Sequence, residues 1–378
     1  MTNLFIGLMS GTSADGVDAA LLETDGITVH KQARPAFTYL EYPEDVGRKI
    51  IEFKSSLYPY RGFHESSGDT DPYSSIRWFL KLEEEITQYH ALAVSKLLRE
   101  FGLERHEIKA IGFHGQTLWH SPKERITWQV GNGQLLAELT GIDVVYDFRR
   151  RDVAAGGQGA PLVPAYHAAL SLGLPTPAAW INIGGLANVT WVGGSTSNAN
   201  DIIACDTGPG NCLLDDWVRL HAGEPCDRDG KYSISGKVQE SILDAMLSDS
   251  YFEKPAPKSL DRNYFSLDML KDLSIEDGAA TLAAFTALSI LKTLETMPAK
   301  PEIVILCGGG SRNPVIVDML KNSAFQIKLS EEMGFNADSI EAEAFAFLAA
   351  RTLQGLPISY PTTTGSTHAV TGGVFCRA

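Results

Sequence analysis

The sequence predicts an α/β protein built from two similar domains, and three observations carry that reading. Apolar runs of strand length alternate with longer segments of helical periodicity along the chain. A plan of strand, Gly- and Ser/Thr-rich turn, and strand occurs at the N-terminus and again in mid-chain. The 378 residues, 44% of them hydrophobic and 21% charged, suffice for two cores.

In chain order, residues 4–8 read as an apolar strand, Met9 to Gly16 as its turn, and residues 17–23 as a second strand. Residues 76–101 space Phe79, Leu82, Ile86, Val94 and Leu97 as one face of a long helix. Residues 108–113 form a strand that ends at His114-Gly115-Gln116-Thr117. A strand at 127–130, a helix at 133–139 and a strand at 142–146 follow. Residues 147–164 are Gly-rich and charged and are expected to hold the crossing between domains. The boundaries expected are 1–147 plus about 355–378 for one domain and 148–354 for the other.

The stretch from Trp180 to Trp217 organises the second half. Its first part is two short strands joined at Gly184-Gly185, a pair able to adopt positive φ. Residues 202–205 are a further strand that ends in Asp206, and Thr207-Gly208-Pro209-Gly210-Asn211 leads into a helix marked by Leu213, Leu214 and Trp217. Backbone N–H groups of such open turns, and the start of the helix, favour an anion. Ser235 is the expected N-cap of a helix running through Met246. A helix over 275–297 precedes a buried strand at 303–306, which delivers Cys307-Gly308-Gly309-Gly310-Ser311-Arg312. A helix from near Asn313, a strand at 325–329 and a helix over 340–353 complete the series. The Thr/Gly/Pro-rich tail from Pro357 is expected to be weakly structured.

A formal net charge of −14 argues against nucleic acid or an anionic membrane as the main partner. The basic run Arg149-Arg150-Arg151 is short and bracketed by Asp147 and Asp152. Five cysteines, an odd number, fit free thiols in a reducing cytosol. Cys205, Cys212 and Cys226 with His221 match no compact zinc spacing. The N-terminus lacks a signal-peptide pattern and no apolar run approaches membrane-spanning length, so a cytoplasmic location is expected.

Common nucleotide and nucleophile-elbow signatures are absent. What remains is four loops rich in Gly, Ser, Thr and Asn, at 9–16, 184–188, 206–211 and 308–313. Any one alone is an ordinary turn. Converging, they suit a nucleotide polyphosphate whose charge is shared with Mg²⁺. The candidate acids are Asp15, Asp206 and Glu341, with Asp147 and Asp152 behind them. Asp206 stands out because the apolar residues before it imply partial desolvation, which raises a carboxyl pKa towards that of a useful base. His114 and His120, single histidines in loops, are more often polar contacts.

Taken together, these segments resemble the anhydro-N-acetylmuramic acid kinase family of the sugar kinase/Hsp70/actin superfamily. The matching stretches are GLMSGTSADGVDAALLE at 7–23, IGFHGQT at 111–117, QVGNGQLLAELTGIDVVYDFRRRDVAAGGQGAPLVP at 129–164, NIGGLANVT at 182–190, CDTGPGNCLLDDW at 205–217, CGGGSRNP at 307–314 and EAEAFAFLAAR at 341–351. The resemblance implies two ribonuclease-H-like domains with ATP in an interdomain cleft, and a reaction in which 1,6-anhydro-N-acetylmuramic acid from cell-wall turnover is hydrolysed at C1 and phosphorylated at O6. On that basis Asp206 is the catalytic base and Glu341 a second acid at the sugar. Ser10, Gly11, Thr12, Ser13, Ala14, Asp15, Gly16 and Val17, with Gly184 and Gly185, approach the ATP phosphates, and Gly308, Gly309 and Gly310 lie near adenosine. Gln116, Arg149 and Asp152 are expected at the sugar or its lactyl carboxylate.

Family analogy also suggests a homodimer, although no seam is visible in the pattern. Two departures stand out: Met9-Ser10 replaces the acid that begins the superfamily's first phosphate loop, and 55–75 is longer and more polar than expected. A kinase of another anhydrosugar and an actin-like ATP-binding scaffold remain open alternatives.

Overall fold

The computed structural model describes residues 2–11, 13–30, 36–56, 74–194 and 201–378. The strands in chain order are β1 (Asn3–Ser10), β2 (Gly16–Thr24), β3 (Val29–His30), β4 (Phe37–Glu41), β5 (Ile108–Ser121), β6 (Ile126–Val130) and β7 (Val144–Tyr146). They continue as β8 (Ala178–Ile183), β9 (Leu186–Val192), β10 (Ile202–Pro209), β11 (Ile303–Cys307), β12 (Ile327–Leu329) and β13 (Val374–Cys376). The chain divides into unit 1, Met1–Leu170 with Ser339–Ala378, and unit 2, Ser171–Asp338.

Each unit has its own sheet, and the two sheets share one plan. In unit 2 the order is β10-β9-β8-β11-β12: an antiparallel meander of three strands, then two strands parallel to its first. In unit 1 β2 is antiparallel to β1, while β5 and then β7 run parallel on the other side of β1. This is ribonuclease-H-like topology used twice. The central strand β8 is apolar almost throughout because both its faces are covered.

Helix Ser74–Phe101 lays Leu82, Ile86, Val94 and Leu97 on one face of the unit 1 sheet, against Ile6, Leu8, Ile111 and Phe113. Helix Ile340–Leu353 covers the other face, and two strand glycines permit it. A Cβ on Gly7 would lie 1.7 Å from the Ala342 carbonyl oxygen, and one on Gly112 would lie 2.0 Å from that of Phe345. The helix answers with alanines, Ala342, Ala344, Ala346 and Ala349, all fully buried. In unit 2, helix Ile275–Glu295 packs Leu282, Phe285 and Ile290 into a core with Ile181, Val189 and Leu306.

Several expectations need correction. The chain passes between units at 170/171 and 338/339, not after residue 147 and near 355. The Ala-rich helix Ile340–Leu353 therefore carries Glu341 in unit 1, because the close approach at Gly7 and Gly112 docks it there. Helix Glu240–Leu247 starts after Gln239, not at Ser235. The reason is Gly236, which sits so tightly on the Glu276 carbonyl that a Cβ would fall 1.9 Å from it, holding the preceding segment in turns. The tail is ordered: β13 pairs with β7, and Ser359, Thr363 and Thr364 are buried.

Candidate active site

In unit 2, Asp206 lies within β10 rather than after it, since the strand continues to Pro209 through an irregularity between Asp206 and Gly208. Asp206 still pairs with Asn188 on β9, and the extra residue of the bulge is Thr207, immediately after the acid. One segment, 251–260, surrounds it. The Leu260 N–H donates to Asp206 Oδ2 at 2.8 Å, and the Asp206 N–H donates to the Lys258 carbonyl at 2.9 Å. The Tyr251 hydroxyl donates to the Asp206 carbonyl at 2.8 Å. Burial pushes the Asp206 carboxyl up to about 6, against the lowering effects of the Leu260 N–H and the Lys258 charge. A carboxylate so tuned is half protonated near pH 6 and ionised at neutrality, which suits a general base.

The Gly-rich loops of unit 2 interlock. The carbonyls of Gly184 and Gly185 accept from the N–H groups of Asn211 (2.8 Å), Gly210 and Cys212 (both 3.0 Å). The N–H groups of Gly210, Asn211 and Cys212, the last of these the first residue of helix Cys212–Ala222, are thus taken by a neighbouring turn and not aimed at an anion. A Cβ on Gly210 would fall 2.1 Å from the Gly184 carbonyl, so the two turns meet only through glycine. Gly308, at φ +80°, stands over Asn182 and Ile183, and Gly310 packs on Ile183 and the Asn211 side chain. Neither Gly184 nor Gly185 has positive φ, and a Cβ at either has room, the nearest atoms being 3.5 and 4.0 Å away. Their value is an open surface, not backbone freedom.

In unit 1 the β1–β2 turn carries Ser10 to Val17, of which Thr12 lies outside the described residues. Gln116 is buried and clamps this turn: its Oε1 accepts from the Ser10 hydroxyl at 2.6 Å, and its Nε2 donates to the Gly11 carbonyl at 2.9 Å. Ala14 takes positive φ and is buried, whereas Ser13 and Asp15 are exposed and joined by a 2.9 Å hydrogen bond. Gly16 and Val17 are buried at the start of β2.

The same unit brings Arg149 and Glu341 together. Arg149 Nε donates to His114 Nε2 at 3.0 Å and Nη1 to the Gly159 carbonyl at 2.7 Å. Desolvation lowers the guanidinium to about 10 while the charges of Glu341 and Asp152 support it. Accepting that bond requires neutral His114, and burial followed by the Arg149 charge holds this histidine well below its usual pKa. Asp152 is not open to a ligand. It is fully buried, with Oδ2 accepting from the Gly159 N–H at 2.7 Å and Oδ1 from the Ser359 and Thr364 hydroxyls. It shapes the loop that meets Arg149.

Among the described residues, no group of three or more His, Cys, Asp and Glu side chains is placed to hold a metal ion. His221 Nδ1 lies 2.9 Å from the Trp217 carbonyl, and the five cysteines are free thiols. No described helix is long and apolar enough to cross a membrane. The segment 55–75 lies almost wholly outside the described residues.

Sequence reasoning missed Tyr251, Lys258 and Leu260 around Asp206, since they follow it by some fifty positions with no motif to join them. It also missed the pairing of His114 with Arg149. The signal there was a lone histidine at a strand end, which resembles any polar contact.

One sheet plan used in both units, with a half-buried acid on the third strand of one copy, defines the class of duplicated ribonuclease-H-like α/β folds. The family profile described as "Anhydro-N-acetylmuramic acid kinase" matches residues 3–378. The protein of that name from Rhodospirillum rubrum is 45% identical over 374 residues, covering 99% of this chain and 94% of its own. That from Zymomonas mobilis is 44% identical over 371 residues, covering 98% of each. Among solved structures, the (R)-2-hydroxyglutaryl-CoA dehydratase component A of Acidaminococcus fermentans aligns with 92% of this chain and 99% of its own, at TM-score 0.44 and 13% identity. The chain belongs to the anhydro-N-acetylmuramic acid kinase family.

Proposed function

We propose that the protein uses ATP to open and phosphorylate 1,6-anhydro-N-acetylmuramic acid, an amino sugar of cell-wall turnover. The observation that carries this reading is the family match from residue 3 to residue 378. In the reaction, a water oxygen bonds to C1 as the C1–O6 bond breaks, and O6 takes the γ-phosphoryl group of ATP. The products are N-acetylmuramic acid 6-phosphate and ADP.

Asp206 is assigned the water's proton. Its carboxyl, raised by burial to about 6, is ionised at neutral pH yet basic enough to help. Glu341 is assigned to orient water or sugar, and Arg149 to receive the lactyl carboxylate, for which a planar guanidinium fixed at Nε and Nη1 is suited. Ser10 to Val17, Gly184, Gly185 and Gly308 to Gly310 are assigned to ATP. Gln116 and Asp152, both buried and hydrogen-bonded within the chain, are assigned to hold the ATP loop and the Arg149 loop in place. Mg²⁺ is read as arriving with the nucleotide, held by its phosphates, and no step here runs through it. A cytoplasmic homodimer is the working state we expect, and light scattering in solution tests it.

The test is ADP release from Mg·ATP with 1,6-anhydro-N-acetylmuramic acid, with the product weighed by mass spectrometry. A gain of one HPO₃ and one water establishes coupled opening and phosphorylation. A gain of HPO₃ alone gives an ordinary kinase, and no sugar-dependent ADP sinks the assignment.

A further inference from the structure

Lys258 is a lysine with 9% of its surface exposed. Its Nζ donates to the Tyr251 carbonyl at 3.2 Å and to that of Phe252 at 3.5 Å, and it lies 4.6 Å from the centre of the Tyr251 ring. Burying an ammonium costs free energy unless its charge is answered. Two carbonyls and a ring face answer only part of it, and no carboxylate forms an ion pair with it among the described residues. The negative charges that act on it are the Cys205 thiol, when ionised, and Asp206; Lys254 and Lys292 oppose it. Tyr251 and Tyr264 are the other titratable groups packed there. Since burial holds the Cys205 thiol protonated to about 12, Asp206 is the anion present at neutral pH.

Resting on the assignment of Asp206 as base, we propose that Lys258 is its positioning residue: it fixes the 251–260 segment on β10 and, beside the Leu260 N–H, adds a positive charge that favours the ionised carboxylate. Three bonds from this segment reach one residue: the Leu260 N–H at the carboxylate, the Lys258 carbonyl at the Asp206 N–H, and the Tyr251 hydroxyl at the Asp206 carbonyl. The Lys258 ammonium closes the segment on itself by holding the carbonyls of Tyr251 and Phe252. A purely apolar side chain would fill the space and do neither job.

The experiment is the pH dependence of sugar-dependent ADP release for the full-length protein and Lys258→Met, with Lys258→Arg as the charge-retaining rescue. Lys258→Gln, which keeps a donor for the carbonyls, carries the same test should Lys258→Met fail to fold. The acid limb is expected to move up by about one unit in Met or Gln, a loss of roughly fivefold at pH 6, as for removal of one nearby opposite charge. KM for ATP should stay unchanged, and Lys258→Arg should restore the limb. An unmoved limb in a folded variant overturns the proposal. Asp206→Asn run in parallel separates the two ideas: if it turns over normally, the base assignment falls and takes this one with it; if it is inactive while the limb stays put, only the role of Lys258 falls.

Discussion

The group assigned as base should make the folded protein less stable, and removing its charge should show it. In the unfolded chain the Asp206 carboxyl ionises near the ordinary aspartate value of 3.8, while in the folded protein burial keeps its proton until about pH 6. Between those values the folded state binds more protons than the unfolded state, so stability falls as pH rises. The cost is absent below about pH 4 and complete above about pH 6, where a difference of about 2 units corresponds to ~3 kcal/mol. Asp206→Asn cannot ionise, keeps an amide oxygen for the Leu260 N–H, and escapes this cost. We expect it to be inactive in ADP release and yet to melt about 5–10 °C higher than the parent at pH 8. Calorimetry at pH 8, 6 and 4 should find the gap shrinking as pH falls and vanishing near pH 4. A mutant that melts at or below the parent at pH 8, or a gap independent of pH, would refute the claim that Asp206 is an ionised acid held in a desolvated site.

Other expectations follow from the same geometry. Gly184→Ala has space and an ordinary φ, so it should leave the melting temperature unchanged; if that surface serves the nucleotide, KM for ATP should rise in steady-state kinetics. Gly7→Ala places a methyl 1.7 Å from the Ala342 carbonyl and should cost about 3 kcal/mol or more in urea unfolding, with activity falling as the helix bearing Glu341 shifts. Arg149→Gln should raise KM for the anhydro sugar by at least about thirtyfold, roughly 2 kcal/mol, while KM for ATP holds; equal losses for both substrates would remove the residue from the sugar site. Chelation by EDTA should stop ADP release and added Mg²⁺ should restore it, with no change in melting temperature.

The sequence by itself determined the class and most of the elements. The strands at 178–183, 186–192 and 303–307, and the helix Ile340–Leu353, were legible because their signals are local: unbroken apolar runs, turn glycines and a helical stripe. Asp206 was legible for the same reason, since the apolar residues before it imply its burial. What only the tertiary structure decided depends on contacts between distant positions. Gln116 and Asp152, read as ligand contacts, turn out to spend their polar atoms on Gly11, Ser10, Gly159, Ser359 and Thr364. A polar side chain near a loop looks the same in sequence whether its partner is a sugar or another loop of the chain. Glu341 moved from the expected second domain to unit 1 because two glycines, at 7 and 112, leave room for its helix on that sheet. Burial raises the Asp206 carboxyl, but the Leu260 N–H and the Lys258 charge that oppose it, and the Tyr251 hydroxyl on its carbonyl, come from a later segment that folds back on β10, and no local pattern encodes that return.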